Sequence, residues 1–296
     1  MKVYIMTYTI QNQHLTVTIH RHGAELFSIK DKDGTEYLWQ GDATFWSDRS
    51  PNLFPYIGRM IQKHYEYKGV QYPMEIHGIA LYRDFEVIEH TPTSILFRLC
   101  SDADSRRQYP WDYIFDIRYS LTGARLDVQM SVNNLTNETM LFAVGGHPGF
   151  NVPLEPGKRF EDYQLRFSNN DLAHRILFTP DCFVEDHTAP YALINGDLLP
   201  LRHDLFDDDA IVLNTNAKAV TLECIHGGKS VTVSYPQMPY IGFWHMPKTA
   251  CPYVCIEPWS SLPSPKGEKT VLDTQKDLLT LEGGKTYENT WSISIH

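Results

Sequence analysis

The chain has 296 residues, near the upper limit for a single core, and its 42% hydrophobic and 12% aromatic content is ample for a large packed interior. A formal net charge of -10 argues against a nucleic-acid partner, whose phosphates need a basic face, and offers no attraction to an anionic membrane surface. The opening "MKVYIMTYTIQNQHLTVTIH" is broken by polar residues before any apolar h-region forms, so no secretory leader is expected. No run of about 18 apolar residues suggests a membrane span. Five cysteines, odd in number and scattered (Cys100, Cys182, Cys224, Cys251, Cys255), fit reduced thiols in a cytoplasmic protein better than a disulfide framework. The Asn-x-Thr matches at Asn134 and Asn137 are accordingly read as chance.

In chain order, alternation of apolar and polar residues predicts strands at "HLTVTIH" (14–20), "SILFRLC" (94–100), "YIFDIRYSL" (113–121), "RLDVQMSVNN" (125–134) and "TWSISIH" (290–296). The segment "SNNDLAHRILF" (168–178) is the one place where a short turn of helix is expected. "AVTLECIHGGKSVTVSY" (219–235) holds two alternating runs joined at His226-Gly227-Gly228-Lys229, a hairpin signal because glycine supplies positive φ. Pro and Gly fall between the runs at short intervals, and no repeat, low-complexity tract or linker interrupts them. The expectation is one all-β domain over residues 1–296, a large sandwich of antiparallel sheets.

Four stretches combine a titratable residue with unusual local geometry. "RSPNLFPYIGRM" (49–60) breaks regular strand with Pro51, Pro55 and Gly58 and delivers Arg59. "MEIHGIA" (74–80) sets His77 before a glycine, and "AVGGHPGF" (143–150) holds His147 between glycines and a proline. "YVCIEPWSSLPSP" (253–265) carries Glu257 inside an apolar run, where a core strand prefers Val or Leu. Each has a bland reading: a turn histidine is more often a structural hydrogen-bond donor, Arg59 a surface arginine, and Glu257 the outward residue of an alternating strand. "LFDDDAIV" (205–212) reads as a solvated acidic loop. No metal site is expected, since His-x-x-x-His and Cys-x-x-Cys spacings are absent, and no nucleophile elbow or phosphate-cradling loop appears. What remains is acid–base chemistry by imidazole and carboxylate in an aromatic-rich β-protein, a setting suited to a sugar.

The ordered set "GAELFSIKDKDGTEYLW" (23–39), "LFPYIGR" (53–59), "HG" (77–78), "GGHPGF" (145–150) and "CIEPWSS" (255–261) resembles the aldose 1-epimerase family, in its LacX-like branch of galactose-mutarotase-like proteins. The resemblance runs in order over nearly the whole chain. It implies a galactose mutarotase-like supersandwich and interconversion of the α- and β-anomers of a free hexose, with no cofactor. By motif it implies Glu257 as the base on the C1 hydroxyl and His147 as the acid on the ring oxygen. It further implies that Arg59 and His77 hold sugar hydroxyls, His77 also near the ring oxygen. Two departures stand out. Leu81 occupies the place where many relatives carry Arg, with Arg83 displaced by two, and the family's further substrate-binding aspartate has only Asp204 or Asp207 as candidates. Two other readings stay open: a non-catalytic sugar-binding or sensing protein, and a hexose-6-phosphate mutarotase, which would need a basic cluster with Arg59 and Arg83 as candidate members.

Overall fold

A computed structural model describes residues 6–169 and 172–296. The alternating runs are strands. Tyr113–Thr122 and Arg125–Asn134 alternate buried and partly exposed side chains along their whole length and form a hairpin. They lie in an antiparallel sheet of nine strands that also takes in Ser94–Cys100, Thr286–Ile295 and the hairpin Ala219–Cys224/Val231–Ser234. The run at 14–20 pairs instead in a separate three-stranded sheet as Leu15–His20. Among the described residues, helix is confined to the four-residue turn Ala103–Arg106, capped by Asp102, and to short 3-10 turns. No described helix is long and apolar enough to cross a membrane.

Among the described residues of 168–178 there is no turn of helix. Ala173–Phe178 is a strand, while Asn170 and Asp171 lie outside the described residues. The reason is tertiary: this segment is hydrogen-bonded to Val184–Tyr191 on one side and Ile211–Asn214 on the other, and pairing on both edges overrides weak local preference.

A second, eight-stranded antiparallel sheet runs from Val184–Tyr191 through Ala173–Phe178, Ile211–Asn214, Tyr240–Trp244 and Tyr253–Trp259 to Gly145–Gly146 and Asn52–Leu53, with Gly149–Asn151 also paired to Tyr253–Trp259. The two sheets meet through apolar contacts. Phe54 stacks on Phe115 with ring centroids 4.4 Å apart, and Phe167 meets Phe243 edge-on at 5.7 Å. One hydrophobic cluster carries residues of both sheets, the arrangement of a packed β-sandwich. Gly146 marks how tightly they press: a Cβ there would lie 2.5 Å from the Trp291 ring of the nine-stranded sheet.

Candidate active site

Tyr253–Trp259 is buried at every one of its seven positions, as is typical of a strand covered on both faces rather than of one facing water. Glu257 is therefore not the outward residue of an alternating strand; it is only 1% exposed. Its neighbours in the sheet leave it room. On one side Gly242 stands opposite it, and on the other the motif "GGHPGF" runs antiparallel to the same strand. Gly145 pairs with Trp259 and Gly149 with Cys255, and the register carried between these two pairs sets His147 directly across from Glu257. Directly opposed residues have their Cβ atoms close on one face. The side chains meet: His147 Nε2 lies 3.1 Å from Glu257 Oε2. The His147 backbone N–H is held by Pro51 O at 3.0 Å, so strand pairing on both flanks fixes the ring.

The pair forms one wall of a cleft of about 600 Å³ that also receives His77, Arg59, Trp46, Trp244 and Asp209. His77 sits in the left-handed backbone region at φ 64°, followed by Gly78 at φ 88°, where a Cβ would fall 2.4 Å from Phe54 O. This tight corner brings the imidazole edge-on to His147, with centroids 5.4 Å apart. The Gly58 N–H donates to His77 Nδ1 at 3.1 Å, and the His77 N–H returns a bond to Gly58 O at 2.9 Å. With Nδ1 occupied as an acceptor, the neutral ring carries its proton on Nε2. Trp46 packs on His147 at 5.0 Å and meets Trp244 edge-on at 5.6 Å, so two half-buried indoles shape the apolar side of the cleft. Glu25, from the first motif, accepts the N–H groups of Arg49 and Ser50 at 2.7 and 2.9 Å and braces the loop that follows Trp46.

The electrostatics follow from burial. Desolvation, reinforced by the charge of Asp209, pushes the Glu257 carboxyl well above its usual range, with the nearby Trp259 indole N–H opposing. Burial pushes His147 down to about 4. His77 is also driven well down by burial, then by His147 and Arg59. His147 Nδ1 and Trp259 Nε1 are buried without a hydrogen-bond partner, and Glu257 Oε2 has only the 3.1 Å approach of His147 Nε2, which is not aligned as a hydrogen bond, so the site keeps unused polar capacity. His147, Cys255 and Glu257 also offer atoms within 4.8 Å of one another, donor types that zinc accepts. Burial, followed by the charge of Glu257, pushes the Cys255 thiol well above its usual range, so a metal bound there would have to displace its proton.

Of the residues singled out by sequence, Glu257, His147, His77 and Arg59 all line the cleft. Asp204 does not; it is exposed and paired with Arg202 at 2.9 Å, and Asp207 also lies outside the lining. Of that acidic run it is Asp209, at its end, that reaches the cleft, with φ 78° and its Oδ2 3.8 Å from Arg59 Nη1. Arg83 turns away to pair with Asp102, while Leu81 lines the cleft in its place. Trp46, Trp244 and Asp209 were not singled out by sequence; nothing in composition separates these aromatics from the many in the core.

Residues 6–265 match the sequence profile of the aldose 1-epimerase family. The plasmid-borne protein LacX of Lactococcus lactis subsp. lactis is 31% identical over 98% of this chain and 99% of its own length. Among solved structures, a galactose mutarotase related enzyme from Lactobacillus acidophilus is 35% identical with a TM-score of 0.92, covering 98% of this chain and 97% of that one. A galactose mutarotase-like protein from Lactobacillus casei is 33% identical with a TM-score of 0.93, covering 98% of this chain and 100% of that one. With its strand register, its cleft and these relatives in agreement, the chain belongs to the aldose 1-epimerase family.

Proposed function

We propose that this protein is an aldose 1-epimerase that interconverts the anomers of a free hexose, with Glu257 and His147 as the proton-transferring pair. The observation that carries the reading is the buried carboxylate and imidazole, 3.1 Å apart on opposed strands at the cleft wall. The C1 hydroxyl and the ring oxygen of a cyclic aldose are bonded to the same carbon, so a proton acceptor and a proton donor must stand side by side to serve both. The two shifts run in opposite directions, the carboxyl up and the imidazole down, as suits a pair that shares one proton.

With that proton on His147, the Glu257 carboxylate takes the proton of the C1 hydroxyl while the imidazolium protonates the ring oxygen. The C1–ring oxygen bond breaks and an open-chain aldehyde forms. Rotation about C1–C2 presents the other face, and reclosure returns both protons, so the enzyme ends as it began. His77, its Nε2–H free for the ligand, and Arg59 hold sugar oxygens. Asp209 accepts from a hydroxyl, and Trp46 and Trp244 give the pyranose an apolar face. The lining supports an unphosphorylated sugar: Glu25, Asp48, Asp209 and Glu257 stand against Arg59. The five free thiols support a cytoplasmic site of action.

The test is anomer exchange by saturation-transfer NMR with glucose, galactose and their 6-phosphates, comparing wild type with Glu257→Gln. Accelerated exchange of a free sugar that disappears in the variant is the expected result. Exchange with phosphates alone moves the activity to sugar phosphates. Line broadening without acceleration for any sugar leaves a sugar-binding protein and removes the enzyme.

A further inference from the structure

We propose that Cys182 is a positioning residue, whose thiol holds the Asp209 carboxylate in the orientation that receives a sugar hydroxyl. The proposal rests on the reading of Asp209 as a sugar ligand. Cys182 lies in the turn after the strand Ala173–Phe178, and Asp209 lies just before the neighbouring strand Ile211–Asn214. Both line the cleft. The Cys182 Sγ–H donates to Asp209 Oδ2 at 2.9 Å, and the Ala210 N–H donates to Oδ1 at 2.9 Å. Each carboxylate oxygen is thus anchored once and keeps a lone pair for a ligand. Arg59, at 3.8 Å from Oδ2, supplies charge but lies beyond hydrogen-bond reach, so the thiol sets the angle of the group.

The backbone around this contact is unusual on both sides. Cys182 has φ 64° and Asp209 φ 78°, so two non-glycine residues in the left-handed region turn their side chains toward each other at the cleft wall. Such conformations are unfavourable and persist where the surroundings impose them, often at sites that bind. The turn itself does not need the thiol. The Cys182 N–H bonds to Thr179 O at 2.9 Å, the Phe183 N–H to Thr179 Oγ1 at 3.2 Å and the Thr179 N–H to Phe183 O at 2.8 Å. Burial, followed by the hydrogen bond to Asp209, pushes the thiol up to about 11, so it remains a donor at neutral pH and makes a poor nucleophile. A serine hydroxyl placed there could donate in the same way.

The experiment compares kcat and KM for anomer exchange in wild type, Cys182→Ala, Cys182→Ser and Asp209→Asn, on the best hexose and on its monodeoxy analogues. Cys182→Ala is expected to raise KM about three- to tenfold, the equivalent of one ordinary hydrogen bond, with kcat little changed. Cys182→Ser should restore KM to within about twofold of wild type. On the deoxy sugar for which Asp209→Asn has no effect, Cys182→Ala should have none either. The proposal is overturned if Ala and Ser raise KM equally, if Ala leaves KM unchanged while Asp209→Asn raises it, or if the Ala effect persists on that deoxy sugar. An Asp209→Asn variant with unchanged KM on every sugar instead removes the reading of Asp209 itself, and the positioning role with it.

Discussion

The hairpin Tyr113–Thr122/Arg125–Asn134 and the strand Tyr253–Trp259 draw on similar residues under different constraints. In the hairpin every second side chain reaches toward solvent, and charges are met there: Arg98 pairs with Asp116 at 2.7 Å and Arg118 with Glu89 at 2.8 Å. In Tyr253–Trp259 no position reaches solvent, yet a carboxyl group is kept. Burying an acid is unfavourable unless its charge is removed or paired, and here burial disfavours the charge and His147 stands within reach of the proton. The same residue class is ion-paired toward solvent in one sheet and buried beside a histidine in the other, and access to water decides which.

The sharpest way to break this contrast is to convert a carboxylate to an amide in each place. Glu257→Gln should lower the exchange rate by about 10²–10⁴-fold. Asp116→Asn should leave the rate unchanged and alter stability by no more than about 1 kcal/mol, read by NMR exchange and by denaturant titration. A comparable rate loss in both variants would show that the effect is not local to the cleft.

The proton count sharpens it further. Glu257 is raised and His147 lowered to about 4, so kcat should rise to a plateau above about pH 4, where the pair holds one proton. It should fall in acid near pH 4 as the pair takes a second proton, and fall again on the alkaline side as the last proton leaves. A single midpoint at the ordinary histidine value would sink the shared-proton reading. Stability carries the same sign. A folded acid with a raised pKa binds more protons than the unfolded chain, so its contribution is full below the unfolded pKa and is lost as pH rises. From the unfolded carboxyl pKa until folded Glu257 ionises, stability should therefore fall more steeply with pH in wild type than in Glu257→Gln.

A smaller effect tests the packing. Gly146→Ala drives a Cβ into the fully buried Trp291 ring and should lower stability by about 3 kcal/mol, the upper end for overpacking. Gly123→Ala, in the hairpin turn at φ 59° with nothing near its Cβ, should lower it by about 1 kcal/mol. Equal losses would mean that backbone conformation, not the close approach of the sheets, governs Gly146.

Six of the nine strands in the larger sheet were legible in the sequence, because alternate side chains face outward there and polar residues mark the period of the strand. The cleft sheet offered no such alternation at Tyr253–Trp259, and there a different signal spoke: a glutamate where the core prefers aliphatic residues, and a histidine in a corner of small residues. Resemblance then tied these together with Arg59 and His77. Asp209 was hidden because three consecutive aspartates look alike until the loop turns one of them inward, with its neighbours left outside. Trp46 and Trp244 were hidden because an indole that lines a cleft and one that fills a core have the same sequence signature. The strand at Ala173–Phe178 was missed because its identity comes from partners on both edges, which no local window contains.

The side-by-side placement of Glu257 and His147, nearly buried between the strands that carry them, has one more consequence. In the proposed reaction, a proton that circulates between these two groups and the sugar is neither drawn from the medium nor returned to it within a turnover. Spontaneous ring opening in bulk water speeds up with every general acid or base dissolved alongside the sugar. The enclosed reaction is insulated from that dependence, so its rate at saturating sugar should not change with buffer concentration, and anomers would be supplied at a steady pace while the surrounding solution varies.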